Sequence, residues 1–197
     1  MIAIIDYGVG NLRSVEKGLE YVGVGATVTD EPSDIEKADA IVLPGVGAFE
    51  SGMEKIAPLK GVILERVKEG TPLLGICLGM QMLFEESDEG GLHKGLGLVK
   101  GRVSRFTGVS KVPHMGWNSL SITKQHPLLS EIPENAFVYF VHSYRAGVCE
   151  HTVASTDYGG EFTAVVANDN VVGTQFHPEK SGDLGLRMLK NFAGMIE

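Results

Sequence analysis

Cysteine is scarce in this chain, tryptophan occurs once, long apolar runs are missing and basic residues are outnumbered by acidic ones. Each shortage closes off a class of protein. Two cysteines in 197 residues, Cys77 and Cys149, are too few and too far apart for a disulfide framework, and neither belongs to a CxxC pair. The six histidines show no HxxxH or HExxH spacing, so the usual zinc ligands are missing and neither a metal nor a cofactor is expected. No apolar stretch approaches the roughly 18 residues that cross a bilayer. No basic segment or small-residue cleavage site surrounds the first apolar run, Ile2–Ile5. The formal net charge of −8 repels phosphate backbones and anionic lipid, which argues against nucleic-acid and membrane partners. The expectation is a soluble cytoplasmic protein. With 43% hydrophobic residues and no repeat, low-complexity tract or linker, residues 1–197 read as one domain.

What is present is an alternation. Ile2–Asp6, Ala26–Thr29, Ala40–Leu43 and Leu73–Ile76 read as short buried strands. Between them lie helical patterns: Leu12, Val15, Leu19 and Val22; a capping-box sequence Ser33-Asp34-Ile35-Glu36; and Val62, Ile63 and Val67. Strands separated by helices imply βαβ units and a mostly parallel sheet. The second half changes character. Leu96–Phe106, Ser119–Thr123, Ala136–Ser143, Thr152–Thr156, Phe162–Ala167 and Val171–Phe176 are strand-like, with a hairpin turn at Asp169-Asn170. These should pair largely antiparallel. Ser181 then caps a last helix whose apolar set includes Leu184, Met188, Leu189 and Phe192. The fold class is α/β.

Two short segments carry chemistry. Gly75-Ile76-Cys77-Leu78-Gly79 sits where a buried strand ends and a helix begins, a G-x-C-x-G version of the nucleophile elbow. The glycines permit a sharp turn that lifts the sulfur above the sheet edge, and the helix N-terminus favours thiolate over thiol. A cysteine without such a setting is usually inert filling, which is how Cys149 reads. Near the other end, Gln175-Phe176-His177-Pro178-Glu179 follows a strand. There a histidine base can be oriented by a carboxylate two residues on. A His-x-Glu also occurs in zinc deaminases, but those need a Pro-Cys-x-x-Cys that is missing here.

Gly-Ile-Cys-Leu-Gly-Met-Gln early and Gln-Phe-His-Pro-Glu late resemble the two signatures of the class I (triad) glutamine amidotransferases, in the family's order and along the whole chain. Asp6-Tyr7-Gly8-Val9-Gly10-Asn11, Pro44-Gly45-Val46-Gly47-Ala48-Phe49, His114-Met115-Gly116-Trp117-Asn118 and His142-Ser143-Tyr144 resemble, more narrowly, the glutaminase subunits of imidazole glycerol phosphate synthases. The glutaminases of pyridoxal phosphate synthases are similar in size, but they usually carry Pro-Gly-Gly-Glu-Ser where this chain has Pro44-Gly45-Val46-Gly47.

The resemblance implies a three-layer, flavodoxin-like fold with a mixed central sheet and an added antiparallel part. It implies Cys77, His177 and Glu179 as the catalytic triad, and backbone N–H groups at Val46 and Leu78 as the oxyanion hole. It implies Gly47, Gln81, Ser143 and Tyr144 as glutamine contacts. The implied partner is the cyclase subunit, a (β/α)8 barrel that receives ammonia and forms imidazole glycerol phosphate and AICAR, with Asn11, Tyr139 and Lys180 near the shared surface. It also implies gating, in which the peptide at Val46, flanked by Gly45 and Gly47, turns its donor inward only when the partner is loaded. Three rivals stand beside this reading. A dinucleotide-binding dehydrogenase lacks the third glycine, Arg13 standing in its place after Gly8-Val9-Gly10. A non-catalytic scaffold sits poorly with a complete triad, and a cysteine peptidase with Gln81 and the late His-Pro-Glu.

Overall fold

The computed structural model describes residues 1–196. The first half runs β1 (Ile2–Ile5), α1 (Leu12–Tyr21), β2 (Ala26–Thr29), α2 (Pro32–Glu36), β3 (Ala40–Gly45), α3 (Phe49–Lys68), β4 (Leu73–Cys77) and α4 (Leu78–Leu83). The second half is strand-rich: β5 (Phe84–Ser87), β6 (His93–Lys94), β7 (Val99–Arg105), β8 (His114–Ser119), β9 (Ser121–Ile122), β10 (Phe137–His142), β11 (Tyr144–Ala146), β12 (Thr152–Asp157), β13 (Glu161–Asn168) and β14 (Val171–Thr174). The helix α5 (Gly182–Ala193) follows.

The central sheet has eight strands in the order β2-β1-β3-β4-β14-β13-β12-β9. It is parallel from β2 to β14 and antiparallel beyond. The strand alternation sorts side chains to its two faces. On β1, Ile2 and Ile4 join Val15, Leu19, Met188, Leu189 and Phe192 of α1 and α5. Ala3 and Ile5 face the other way, with Ile35, Phe49, Ile56 and Ile63 of α2 and α3. This is the expected three-layer, mixed-sheet architecture. Each such Ile, Leu or Phe, fully buried, contributes about 1.5–3 kcal/mol. Two satellite sheets flank the core: an antiparallel β10–β8 ribbon, and β11-β7-β5-β6, in which β5 and β7 run parallel.

Several sequence expectations need correction. The capping box does not operate: α2 starts at Pro32 with Glu31 at the cap and no side-chain cap bond, while Asp34 accepts from the Thr29 hydroxyl at 2.8 Å. β3 runs through Pro44 to Gly45, because both pair with β4, Pro44 with Ile76 and Gly45 with Cys77. The run Leu96–Phe106 yields a strand only at Val99–Arg105. Ser119–Thr123 divides between the end of β8 and the two-residue β9. Ser181 stands at the start of α5 but does not cap it. Its hydroxyl donates to the His177 carbonyl at 2.6 Å and accepts from the Tyr139 N–H at 3.0 Å, so it braces the loop that carries His177.

Candidate active site

Residues one hundred positions apart meet because β4 and β14 are parallel neighbours, with Thr174 opposite Ile76. Cys77 ends one strand and His177 follows the other, so both stand at the carboxyl edge of the sheet, where open α/β sheets place their sites. Cys77 takes φ 55°, ψ −108°, a sparsely populated conformation for a side-chain-bearing residue. Its surroundings enforce it. A Cβ on Gly79 would overlap the Leu43 carbonyl oxygen, and one on Gly75 would lie 2.8 Å from the backbone of Gly79 and Met80. The helix beyond, α4, is only six residues long, so its dipole makes a smaller contribution than the sequence alone implied.

The larger electrostatic partner is the imidazole. His177 Nδ1 lies 2.8 Å from Glu179 Oε1, and the two side chains are 2% and 1% exposed. Burial would push the imidazole's pKa down. Cys77 and Glu179 beside it outweigh that and raise it to about 10. His177 Nε2 is buried and has no hydrogen-bond partner of ordinary geometry, and Cys77 is the first of the neighbours that raise the ring's pKa, ahead of Glu179. His177 is therefore an imidazolium at neutral pH, held between a carboxylate and the sulfur.

These groups open onto a cleft of about 340 Å³. The structure brings Val46, Gly47, Cys77, Leu78, Gln81, Ser143, Tyr144 and His177 together around it. Glu179 stands behind His177. Gly47 adopts φ +104°, whereas Gly45 is demanded by space, since a Cβ there would strike the Tyr7 hydroxyl. That hydroxyl donates to the Pro44 carbonyl at 2.7 Å and fixes the loop, and burial pushes its pKa up, as does Cys77. Among the described residues no cluster of three or more His, Cys, Asp or Glu is placed to hold a metal ion, and no helix is long and apolar enough to cross a membrane.

Sequence reasoning missed Glu89 and Val141. Glu89 lines the cleft and accepts from the Phe49 N–H at 2.8 Å, tying the start of α3 to the loop after β5. Its only sequence signal was an acidic pair before Gly90-Gly91. The Val141 carbonyl lies 3.9 Å from the Cys77 sulfur, a contact no motif announces. Tyr139 and Lys180 meet on the His177 backbone: the His177 N–H donates to the Tyr139 carbonyl, and the Lys180 N–H to the His177 carbonyl, each at 3.0 Å. Asn11 lies at the start of α1 and accepts from the Ser14 hydroxyl at 2.9 Å. Cys149 is remote from the cleft and accepts from the Thr152 hydroxyl at 3.7 Å.

Comparison with known proteins agrees with this geometry. The sequence profile of the family Glutamine amidotransferase class-I matches residues 3–195. The chain is 56% identical to imidazole glycerol phosphate synthase subunit HisH of Methanosarcina acetivorans, over 98% of each chain. It is 50% identical to the subunit of the same name from Methanocaldococcus jannaschii, over the full length of both. Among solved structures it superposes on a glutamine amidotransferase with a TM-score of 0.77 at 20% identity, over 98% of this chain and 100% of that one. It superposes equally well, at 0.77 and 21% identity, on PurLQS from Thermotoga maritima, over 100% and 98% of the two chains. With the family profile spanning nearly every residue and a cysteine–histidine–glutamate set assembled at the sheet edge, the chain belongs to the class I glutamine amidotransferases.

Proposed function

We propose that this chain, acting as one domain, is the glutaminase subunit of an imidazole glycerol phosphate synthase. It hydrolyses glutamine and passes the ammonia to a cyclase subunit of (β/α)8 form. The observation that carries the chemistry is Cys77, strained at its elbow, facing a buried imidazolium in a cleft lined by Gln81. The relatives at 50–56% identity support the choice of synthase.

In this reading glutamine enters with its side-chain amide over Cys77 and its α-ammonium near the Glu89 carboxylate. Gly47, Ser143 and Tyr144 border it. The thiolate attacks the amide carbon, forming a C–S bond and an oxyanion that the N–H groups of Val46 and Leu78 receive. One donor of this kind lowers the barrier by about 3 kcal/mol. His177 gives its proton to the departing nitrogen, and ammonia leaves. The neutral imidazole, held by Glu179, then takes a proton from water, which attacks the thioester and releases glutamate.

A docking face for the partner lies close by. On the outer face of the β8–β10 ribbon, Met115, Trp117 and Phe137 are 59%, 55% and 57% exposed, and Trp117 meets Tyr139 edge-on at 6.1 Å. Large apolar side chains gathered in this way mark interaction sites. Tyr139 and Lys180 connect that face to His177.

The test is glutamate release by the chain mixed with a cyclase subunit, with and without the ribulosyl aminoimidazole nucleotide. Release is expected to need both additions and to fall more than about a thousandfold in Cys77→Ala. No release beside an active cyclase, or undiminished release by Cys77→Ala, refutes the reading.

A further inference from the structure

Gln175 belongs to the late motif, yet the triad gives it no task. It is fully buried, immediately beyond β14. Its Nε2 lies 3.8 Å from the Cys77 sulfur, and its Oε1 lies 3.0 Å from Gln81 Nε2. Gln81 Nε2 is also 2.9 Å from the Tyr144 carbonyl. From the other side, His142 Nδ1 reaches the same carbonyl at 2.8 Å. His142 Nε2 is 3.0 Å from His114 Nδ1, and His114 Nε2 is 3.2 Å from Asn118 Nδ2.

One atom fixes the direction of every bond in this series. A carbonyl oxygen only accepts. The Gln81 atom beside Tyr144 O is therefore the nitrogen, and so Gln175 turns its oxygen to Gln81 and its N–H to the sulfur. On the other arm, His142 Nδ1 carries the proton. Burial pushes His142 down to about 3 and His114 down to about 4, so both rings are neutral at pH 7. His142 Nε2 then accepts from His114 Nδ1–H, and His114 Nε2 accepts from the Asn118 amide. Asn118 also donates to the Asp157 carbonyl at 3.0 Å, which anchors the far end. No step in the series places two donors or two acceptors face to face.

We infer that Gln175 is a further catalytic residue, its amide N–H holding the Cys77 sulfur, and that His142, His114 and Asn118 position it through the Tyr144 carbonyl and Gln81. The inference deepens the glutaminase reading and rests on it. A thiolate gains from an N–H donor, and a donor whose orientation is set on both sides requires no reorganisation when charge shifts during attack. The series also runs from the cleft to the inner side of the β8–β10 ribbon. Whatever holds that ribbon in register holds the sulfur's partner.

The test uses the full chain and iodoacetamide, which reaches Cys77 without needing the glutamine contacts. At pH 7, Gln175→Met, similar in shape but without a donor, is expected to slow alkylation of Cys77 by about tenfold. Asn118→Ala, at a half-buried site that the fold tolerates more readily, should slow it by about twofold to threefold, the effect weakening with each intervening bond. Alkylation within twofold of the unmodified chain in Gln175→Met overturns the inference. A fall in melting temperature of Asn118→Ala with unchanged alkylation overturns the positioning arm, because a purely structural role moves stability alone. Failure of the glutaminase reading looks different: the unmodified chain would label at Cys77 yet release no glutamate with its partner.

Discussion

Cys77 is held at φ 55°, where a Cβ is disfavoured, by two glycines that leave no room for relaxation. The thiol is presented at a conformational cost of about 1–3 kcal/mol. Removing the side chain should recover part of it. Cys77→Gly and Cys77→Ala are both expected to lose turnover, and the glycine variant is expected to be the more stable by about 1 kcal/mol, because alanine keeps the strain and glycine does not. Denaturant unfolding of the two proteins side by side decides it; an alanine variant more stable than the glycine variant by the ordinary chain-entropy difference would mean the elbow is unstrained. At this scale the meeting of Cys77, His177 and Glu179 was legible because each lies in a short motif whose residue types only make sense together. Glu89 was not, since its role arises from a loop folding back onto α3. The task of Gln175 was hidden too: a glutamine's neighbours, unlike a glycine's conformation, leave no mark on the sequence around it.

Among the helices, α3 is the one whose extent the sequence described least well. Val62, Ile63 and Val67 marked its last turns, while the helix runs 20 residues from Phe49 and carries Pro58 in its interior. Proline there removes a backbone donor and obscures the pattern, yet the apolar stripe Phe49, Ile56, Leu59, Ile63 and Val67 packs well enough to override it. Pro58 itself is exposed and belongs to no buried cluster. Pro58→Ala is expected to stabilise the protein by about 1 kcal/mol or more, read as a higher melting temperature with glutamate release unchanged. A lower melting temperature would show that the curvature imposed by proline is what seats the stripe. The strands β5, β6 and β11 escaped sequence reading for a different reason. They have two to four residues each and pair only with β7 or one another, so they are too short for alternation to show. The central parallel strands β1, β3, β4 and β14 are also short, but they were readable because burial on both faces makes them nearly continuous apolar runs.

At the scale of the whole molecule, three buried histidines bend the dependence of stability on pH in opposite senses. His114 and His142 have pKa values of about 4 and about 3 in the fold, against an ordinary value of 6.5, because burial disfavours their charged forms. Below about pH 6.5 the unfolded chain binds protons there that the folded chain refuses, so stability is lost as the medium is acidified toward pH 4. The groups facing His142 include His114, His177 and Arg145, all of which oppose a second positive charge. His177 behaves in reverse. Its folded value of about 10 keeps a proton that the unfolded chain releases above 6.5, so its stabilisation is complete below pH 6.5 and is lost as pH rises toward 10. Melting temperatures measured from pH 4 to pH 10 should therefore show an acid limb that is shallower in His114→Phe, which keeps the stacking on Tyr158 at 4.1 Å and on Phe140 at 4.8 Å. The alkaline limb should be shallower in His177→Gln. Curves parallel to that of the unmodified protein in both variants would mean that neither set of protons is coupled to folding. A change confined to the alkaline limb would separate the imidazolium at the sheet edge from the histidine pair beneath the ribbon. The two limbs also bound the pH range over which these protonation states hold together. The resting imidazolium of His177 is retained up to about pH 10, while the neutral tautomers of His114 and His142, which orient the Tyr144 carbonyl, persist down to about pH 4. Within that window the polarity of the bonds leading to the sulfur and the charge on the triad coexist.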